Sequence, residues 1–134
     1  MAYLADTSAW HRSGRVDEQW ETLLDADEIA ICVPVSLELL YSSRGRRDYH
    51  TLASDLQRLP YLPLDENAAR FALQTQERLA DRSQHRGPSP VDILIAAIAA
   101  VHDAIVLHYD RHFDAIQRVT GQPMEWLMRR GSVP

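Results

Sequence analysis

The sequence predicts an α/β domain built on a short, mostly parallel central sheet. Two observations lead there. Short apolar runs alternate with amphipathic helical stretches along the whole chain, with no internal repeat and no low-complexity tract. The 134 residues fit one domain with one core, spanning 1–134. At that length about 70% of the unfolded surface can be buried, so no staple is needed.

Tyr3-Leu4-Ala5 is a brief apolar run that stops at Asp6 and reads as a first, buried strand. A helix is expected to start at Thr7. Trp20, Leu23 and Leu24 sit at helical spacing within Gln19–Ala26. Ile29–Val33 is a second strand candidate, closed by Pro34. Val35–Ser43 reads as a helix with an unusually apolar face, interrupted by Glu38, and Asp48–Leu59 as a further helix through Tyr49, Leu52, Leu56 and Leu59. Tyr61-Leu62-Pro63-Leu64 reads as a third strand, after which Asp65 caps a long helix to about Arg82.

Ser83–Pro88 is polar and turn-forming, a loop rather than a linker. Ser89-Pro90 has the cap and first-turn proline of a helix start. That helix is almost wholly Ile, Leu, Ala and Val to Val101 and is expected to be buried on most sides. Ala104–Leu107 reads as a fourth strand, His112–Val119 as a short helix and Met124-Glu125-Trp126 as a last edge strand.

Composition removes several functions. All 14 basic residues are arginine, so Schiff-base chemistry, a phosphate-binding loop ending in lysine and a lysine base are excluded. A net charge of −5 argues against sequence-blind electrostatic binding of nucleic acid, unless arginine patches or metal ions reverse the local sign. Cys32 is the one cysteine, which excludes an intrachain disulfide and a Cys-rich zinc site and suits a reducing compartment, the cytoplasm. The longest apolar stretch, Ile93–Val101, is far short of the ~20 residues that span a bilayer. No basic-then-apolar stretch opens the chain, so no signal peptide is expected.

Ligands in parallel sheets bind beyond the carboxyl ends of the strands, and that is where acids fall. Asp6 follows the first strand; Asp110 follows the fourth, with Asp114 one helical turn on. Glu38 and Asp92 stand near the start of the two most apolar helices. Each has a structural reading: Asp6 and Asp110 as helix caps, Asp92 in the capping box Ser89-x-x-Asp92, Asp114 facing a helix dipole. Glu38, among Val35, Leu37, Leu39 and Leu40, is expected to be buried, where an unpaired carboxylate is costly.

Clustering makes a second demand. Two carboxylates ~4 Å apart repel by about 4 kcal/mol at an effective dielectric near 20. With no lysine and only Arg111 adjacent, a hard divalent cation, Mg²⁺ or Mn²⁺, is the natural counter-charge. Such a site suits hydrolysis of phosphodiesters. Receiver domains and haloacid-dehalogenase phosphatases also gather acids at strand ends, but both need a lysine, and the latter a second Asp two positions after the first.

Leu4-Ala5-Asp6-Thr7-Ser8-Ala9-Trp10 resembles the opening of PIN-domain nucleases. Val35-Ser36-Leu37-Glu38-Leu39 resembles their early acidic helix, Pro90-Val91-Asp92-Ile93-Leu94-Ile95-Ala96-Ala97 their Asp-x-x-Ile-Ala helix, and Tyr109-Asp110-Arg111-His112-Phe113-Asp114 their final acidic turn. The four motifs occur in order, and the pattern is most similar to the VapC-type toxins, small PIN ribonucleases paired with an antitoxin. The resemblance implies a three-layer α/β/α fold, a Mg²⁺- or Mn²⁺-dependent endoribonuclease, a cognate antitoxin and a homodimer. It implies Asp6, Glu38, Asp92 and Asp110, with Asp114 added, as the catalytic and metal-holding set, Asp6 and Asp92 touching the metal directly. Two alternatives stand beside it: an RNA-processing PIN nuclease without a toxin role, and a non-catalytic PIN-like RNA-binding module.

Other residues carry paired readings. Thr7 and Ser8 position the metal or a phosphate, or serve only in capping. His11 and Arg12 contact RNA or lie on an exposed face, and Arg44, Arg46 and Arg47 bind phosphate, meet an acidic partner or form a solvated loop. His102, His108 and His112 lack metal-ligand spacing and read as structural or exposed. Trp10 and Trp20 read as core or subunit contact, and together with Tyr41 as aromatic area for the homodimer.

Overall fold

The computed structural model describes residues 2–132. Its sheet has four strands, β1 (Tyr3–Ala5), β2 (Ile29–Ala30), β3 (Ile105–His108) and β4 (Met124–Trp126), in the order β2-β1-β3-β4. All three pairings are parallel, with Leu4 opposite Ala30 on one side and Val106 on the other. The helices are α1 (Thr7–Arg12), α2 (Asp17–Asp25), α3 (Val33–Tyr41), α4 (Arg46–Leu56), α5 (Glu66–Asp81), α6 (Pro90–Val101) and α7 (His112–Thr120).

Alternation along each strand divides the core. Leu4 and Val106 face α6, α5, α3 and α7 in the larger cluster, whereas Ala5, Leu107 and Ile29 meet Ala9 and Trp20 from α1 and α2. The result is the expected three-layer α/β/α arrangement. Helix α6 is buried on most sides, because Ile93, Ile95, Ala96, Ala97, Ile98 and Ala99 leave no polar face after its first turn. It is clamped between the sheet and α5, its most extensive partner. Gly121, at φ 72°, closes α7 in the left-handed conformation that glycine adopts without strain.

The sequence expectation of a strand at Tyr61-Leu62-Pro63-Leu64 is corrected. Tyr61 makes one isolated parallel bridge to Ile31, held by Ile31 N–H to Pro60 O at 2.8 Å and Leu62 N–H to Ile31 O at 2.9 Å. The ladder stops because its partner turns into α3 at Val33. Pro34 therefore does not end a strand at Val33; it occupies the first helical turn, where its missing N–H has no helical acceptor to lose. The short helix Thr7–Arg12 is present as expected, followed by a 3₁₀ turn at Ser13–Arg15.

Candidate active site

The topology puts a crevice between β1 and β3. From β1 the chain first adds β2 on one side, then crosses to β3 on the other, so the connections leave β1 and β3 in opposite directions. That is the switch point at which open parallel sheets bind ligands. Asp6 stands at the end of β1 and Asp110 two residues past β3.

Asp6 is 3% exposed. Its Oδ1 accepts the Ala9 N–H at 3.1 Å, so it does cap α1. The Ser8 hydroxyl donates to the same carboxylate at 2.7 and 2.9 Å and accepts the Tyr109 N–H at 2.9 Å. Ser8 thus fastens the acid after β1 to the chain leaving β3. Burial, with a smaller push from the Asp92 charge, raises the Asp6 carboxyl to about 7, against the lowering by the Ser8 and Ala9 hydrogen bonds.

Asp92 likewise has two roles. Ser89 Oγ accepts its N–H at 3.1 Å while its own Oδ2 accepts the Ser89 N–H at 3.2 Å, a complete capping box at the start of α6. Burial raises its carboxyl, and the Asp110 and Glu38 charges raise it further. Asp92 is thus within electrostatic range of Asp110 and Glu38, and its own charge is felt by Asp6.

The expectation that Glu38 is buried is corrected: it lies on the exposed face of α3 beside Leu37, with Val35 and Leu39 turned inward. A carboxylate can stand there because one face of α3 is left open, and Thr7 Oγ1 donates to its Oε1 at 2.6 Å. Asp110 is oriented by two local bonds. Its Oδ1 accepts the His112 N–H at 2.9 Å, and its own N–H donates to His108 Nδ1 at 3.2 Å. His108 is buried, stacks on Phe113 with centroids 4.9 Å apart, and burial pushes its pKa down to about 4. A neutral ring leaves Nδ1 free to accept, and through that bond His108 positions Asp110.

Asp114 has further partners of its own. It accepts Trp126 Nε1–H at 3.2 Å and faces Arg130 at 3.6 Å, tying α7 to the end of β4. Asp114→Ala should therefore lower stability by about 1 kcal/mol, the net worth of a hydrogen bond, and leave most nuclease activity. Thermal unfolding and a cleavage assay on one preparation check both; complete loss of cleavage with unchanged melting would put Asp114 in the working set.

Among the described residues no arginine stands within ion-pair distance of Asp6, Glu38, Asp92 or Asp110, and no three metal-binding side chains are drawn tightly together. The donor set is carboxylate oxygen, which suits hard Mg²⁺ or Mn²⁺ and not a softer ion. A buried carboxyl held near 7 by desolvation and a neighbouring acid is a group that a cation would return to its charged form.

The PIN domain family profile matches residues 3–119. Ribonuclease VapC18 of Mycobacterium tuberculosis is 40% identical over 137 residues, covering 99% of this chain and 100% of the relative. The chain is a PIN-domain protein of the VapC family. Ribonuclease VapC51 of the same organism is 38% identical over 135 residues, covering 99% of this chain and 98% of the relative. A crystal structure of DNA-bound VapBC from Salmonella typhimurium aligns with TM-score 0.78 at 21% identity, covering 96% of this chain and 99% of that one. At that identity the likeness is one of fold, and it matches the three layers seen here.

In this VapC-family chain, Ser8, His108 and Phe113 escaped full assignment from sequence. Ser8 had a cue in standing two residues after Asp6, but nothing local forecast its bond to Tyr109, 101 positions away. The buried state of His108 was readable only through its place at the end of an apolar strand. His102 reaches Pro63 O at 3.0 Å and Asp65 at 3.3 Å, a structural role. Arg44, Arg46 and Arg47 are exposed around the start of α4. Arg12 lies over the Tyr109 ring at 4.9 Å, and its Nη1 donates to Ser8 O.

Proposed function

We propose that this chain, as one domain spanning residues 1–134, is a Mg²⁺- or Mn²⁺-dependent endoribonuclease. It acts in the cytoplasm as the toxin of a toxin–antitoxin pair. The observation that carries the reading is the buried Asp6 beside Asp92 at the β1/β3 switch point, with no arginine ion-paired to either among the described residues, in a chain whose relatives are named Ribonuclease VapC. The VapBC complexes that share its fold support an antitoxin as partner.

Asp6, Asp92, Asp110 and Glu38 would hold the cation, which when bound neutralises the acids and polarises a phosphodiester of RNA. Ser8 keeps the Asp6 carboxylate aimed into the crevice, and Thr7 does the same for Glu38. His108 and the His112 N–H fix Asp110. The caps matter chemically: the N-cap of α1 and the capping box of α6 hold the Asp6 and Asp92 carboxylates in place before a ligand arrives. The intact acid set favours this reading over a non-catalytic RNA-binding module.

A homodimer is part of the proposal, with the aromatic surface suggested by the sequence narrowed to the side that carries Tyr41. Trp20 is 6% exposed and packs edge-on against Trp10 at 4.8 Å, so it belongs to the core. Tyr41, 92% exposed, lies on the open face of α3 with Leu37 and Val33 and remains available. No helix among the described residues is long and apolar enough to cross a membrane.

Excess EDTA should abolish RNA cleavage by the purified protein, and Mg²⁺ or Mn²⁺ should restore it. Undiminished cleavage in EDTA would overturn the metal, and no cleavage under any divalent ion would overturn the activity. An adjacent reading frame encoding a DNA-binding antitoxin is the genomic check on the toxin role.

A further inference from the structure

The acids explain hydrolysis but repel the substrate. An RNA strand brings one negative charge per nucleotide to a chain of net charge −5, so somewhere near the crevice its flanking phosphates need positive partners. One cavity beside the site has that character. It has a volume of ≈410 Å³ and lies between the 83–88 loop and α7, with Arg111, Arg118, Arg130 and His112 against the single acid Asp114 among its walls.

Its place in the fold links it to the acids at both ends. The His112 N–H that lines it holds Asp110 Oδ1 at 2.9 Å. Gly87 and Pro88 on the opposite wall lead directly into Ser89, the capping partner of Asp92. Arg111 and Arg118 stand seven residues apart, two helical turns, and so share one face of α7, about 10 Å from end to end. Both are exposed, and neither has an ion-pair partner among the described residues. Arg130 differs: it is paired with Asp114 and covers the Trp126 ring at 5.5 Å.

The basic line continues past this cavity. A smaller one of ≈250 Å³ is lined by Arg78, Asp81 and Arg82 and adjoins the first through the neighbours Arg82-Ser83 and Arg118-Val119. Arg78 Nη1 donates to Val119 O at 3.0 Å, which anchors α5 to the end of α7.

We propose that Arg111 and Arg118 bind backbone phosphates of the RNA strand flanking the scissile bond, so that the strand leaves the acids along α7 towards Arg82. This rests on the ribonuclease reading above. The contacts are to phosphate, by guanidinium forks, and carry affinity without base specificity. The cavity takes RNA in preference to an acidic protein segment because its two ends are the elements that hold Asp110 and Asp92. A strand cut at those acids has to pass one of its sides.

The test compares wild type with Arg111→Gln, Arg118→Gln, the double variant and Arg118→Lys in Mg²⁺-supported cleavage of a fluorescent, unstructured 20-nucleotide RNA. Each Gln variant should raise KM about 3- to 10-fold with kcat unchanged, and reduce the slope of log KM against log salt by about 0.7. Arg118→Lys should recover most of the lost affinity, since a phosphate needs charge. Arg70→Gln, whose arginine is paired with Glu66 on α5, is the control and should behave as wild type. Unchanged KM and salt slope in the double variant would overturn the proposal. So would unchanged KM with weakened inhibition by an antitoxin, which would assign the arginines to a protein partner. Anisotropy with the same RNA in Ca²⁺ separates this failure from failure of the ribonuclease reading. If wild type cleaves nothing yet binds RNA through these arginines, the phosphate track stands and the catalytic reading falls. If it binds no RNA, both fall.

Discussion

Asp6→Asn is expected to lower RNA cleavage by at least ~100-fold, more than loss of an outer-shell partner costs, while the metal-free variant melts above wild type. Asn preserves the local structure: its carbonyl can accept the Ala9 N–H and the Ser8 hydroxyl as Asp does, and it caps a helix as well. Only the charge is lost. In the folded protein the Asp6 carboxyl is raised to about 7 from 3.8, which corresponds to at most ~4 kcal/mol of disfavoured charge at neutral pH.

The sign follows from proton uptake. Between about pH 4 and 7 the unfolded chain has released this proton while the folded chain still holds it, so wild type loses stability as pH rises through that window. The variant has no such loss. The melting difference, variant minus wild type, should therefore be near zero at about pH 4, widen to about pH 7 and then stay level. His108 titrates the other way: its pKa is lowered to about 4, so the unfolded state takes up its proton first and acid destabilises the fold. That contribution is common to both proteins and cancels in the difference. Thermal unfolding in EDTA across this range checks the curve, and added Mg²⁺ should raise wild type more than the variant. A pH-independent difference together with retained cleavage would make Asp6 a cap and nothing more.

Phe113→Ala should be the costliest single truncation near the site, at ~3–5 kcal/mol. Phe113 is fully buried at the start of α7 and stacks on His108 at 4.9 Å with the planes 29° apart. For a domain stable by ~5–15 kcal/mol, the loss should lower the melting temperature by roughly 10–20 °C. Activity should fall even where the variant remains folded. Without the Phe113 ring, His108 loses the packing that holds its Nδ1 against the Asp110 N–H. Denaturant unfolding together with cleavage measured at low temperature separates the two effects. A loss below ~1.5 kcal/mol, as for a volume-conserving swap, would mean the site had collapsed around the gap.

The acids were legible in the chain because each obeys a local rule. An Asp directly after a short apolar strand, and Ser89-x-x-Asp92 before an apolar helix, are signals within a few residues, and in the structure both acids cap the helices that follow. The all-apolar run to Val101 likewise dictated a central helix. Strand order was less legible. The alternation announced a parallel sheet, but that β1 lies between β2 and β3 is a matter of pairing across about 100 residues, which no local pattern carries.

Sequence by itself determined the α/β class, the three layers through family likeness, the positions of Asp6, Asp92 and Asp110 at element ends, and the demand for a counter-charge in a chain without lysine. Tertiary structure alone decided which faces are covered. It left Glu38 open on α3 where the apolar neighbours suggested burial, drew Trp20 into the core and left Tyr41 exposed. It turned Asp114 to Trp126 and Arg130, and reduced the run after Pro60 to one bridge because its partner strand ended first. The reason is common to all of these. Capping and periodicity are set by hydrogen bonds and side-chain spacing within a turn or two, whereas burial and partner choice depend on which distant segment packs against a face.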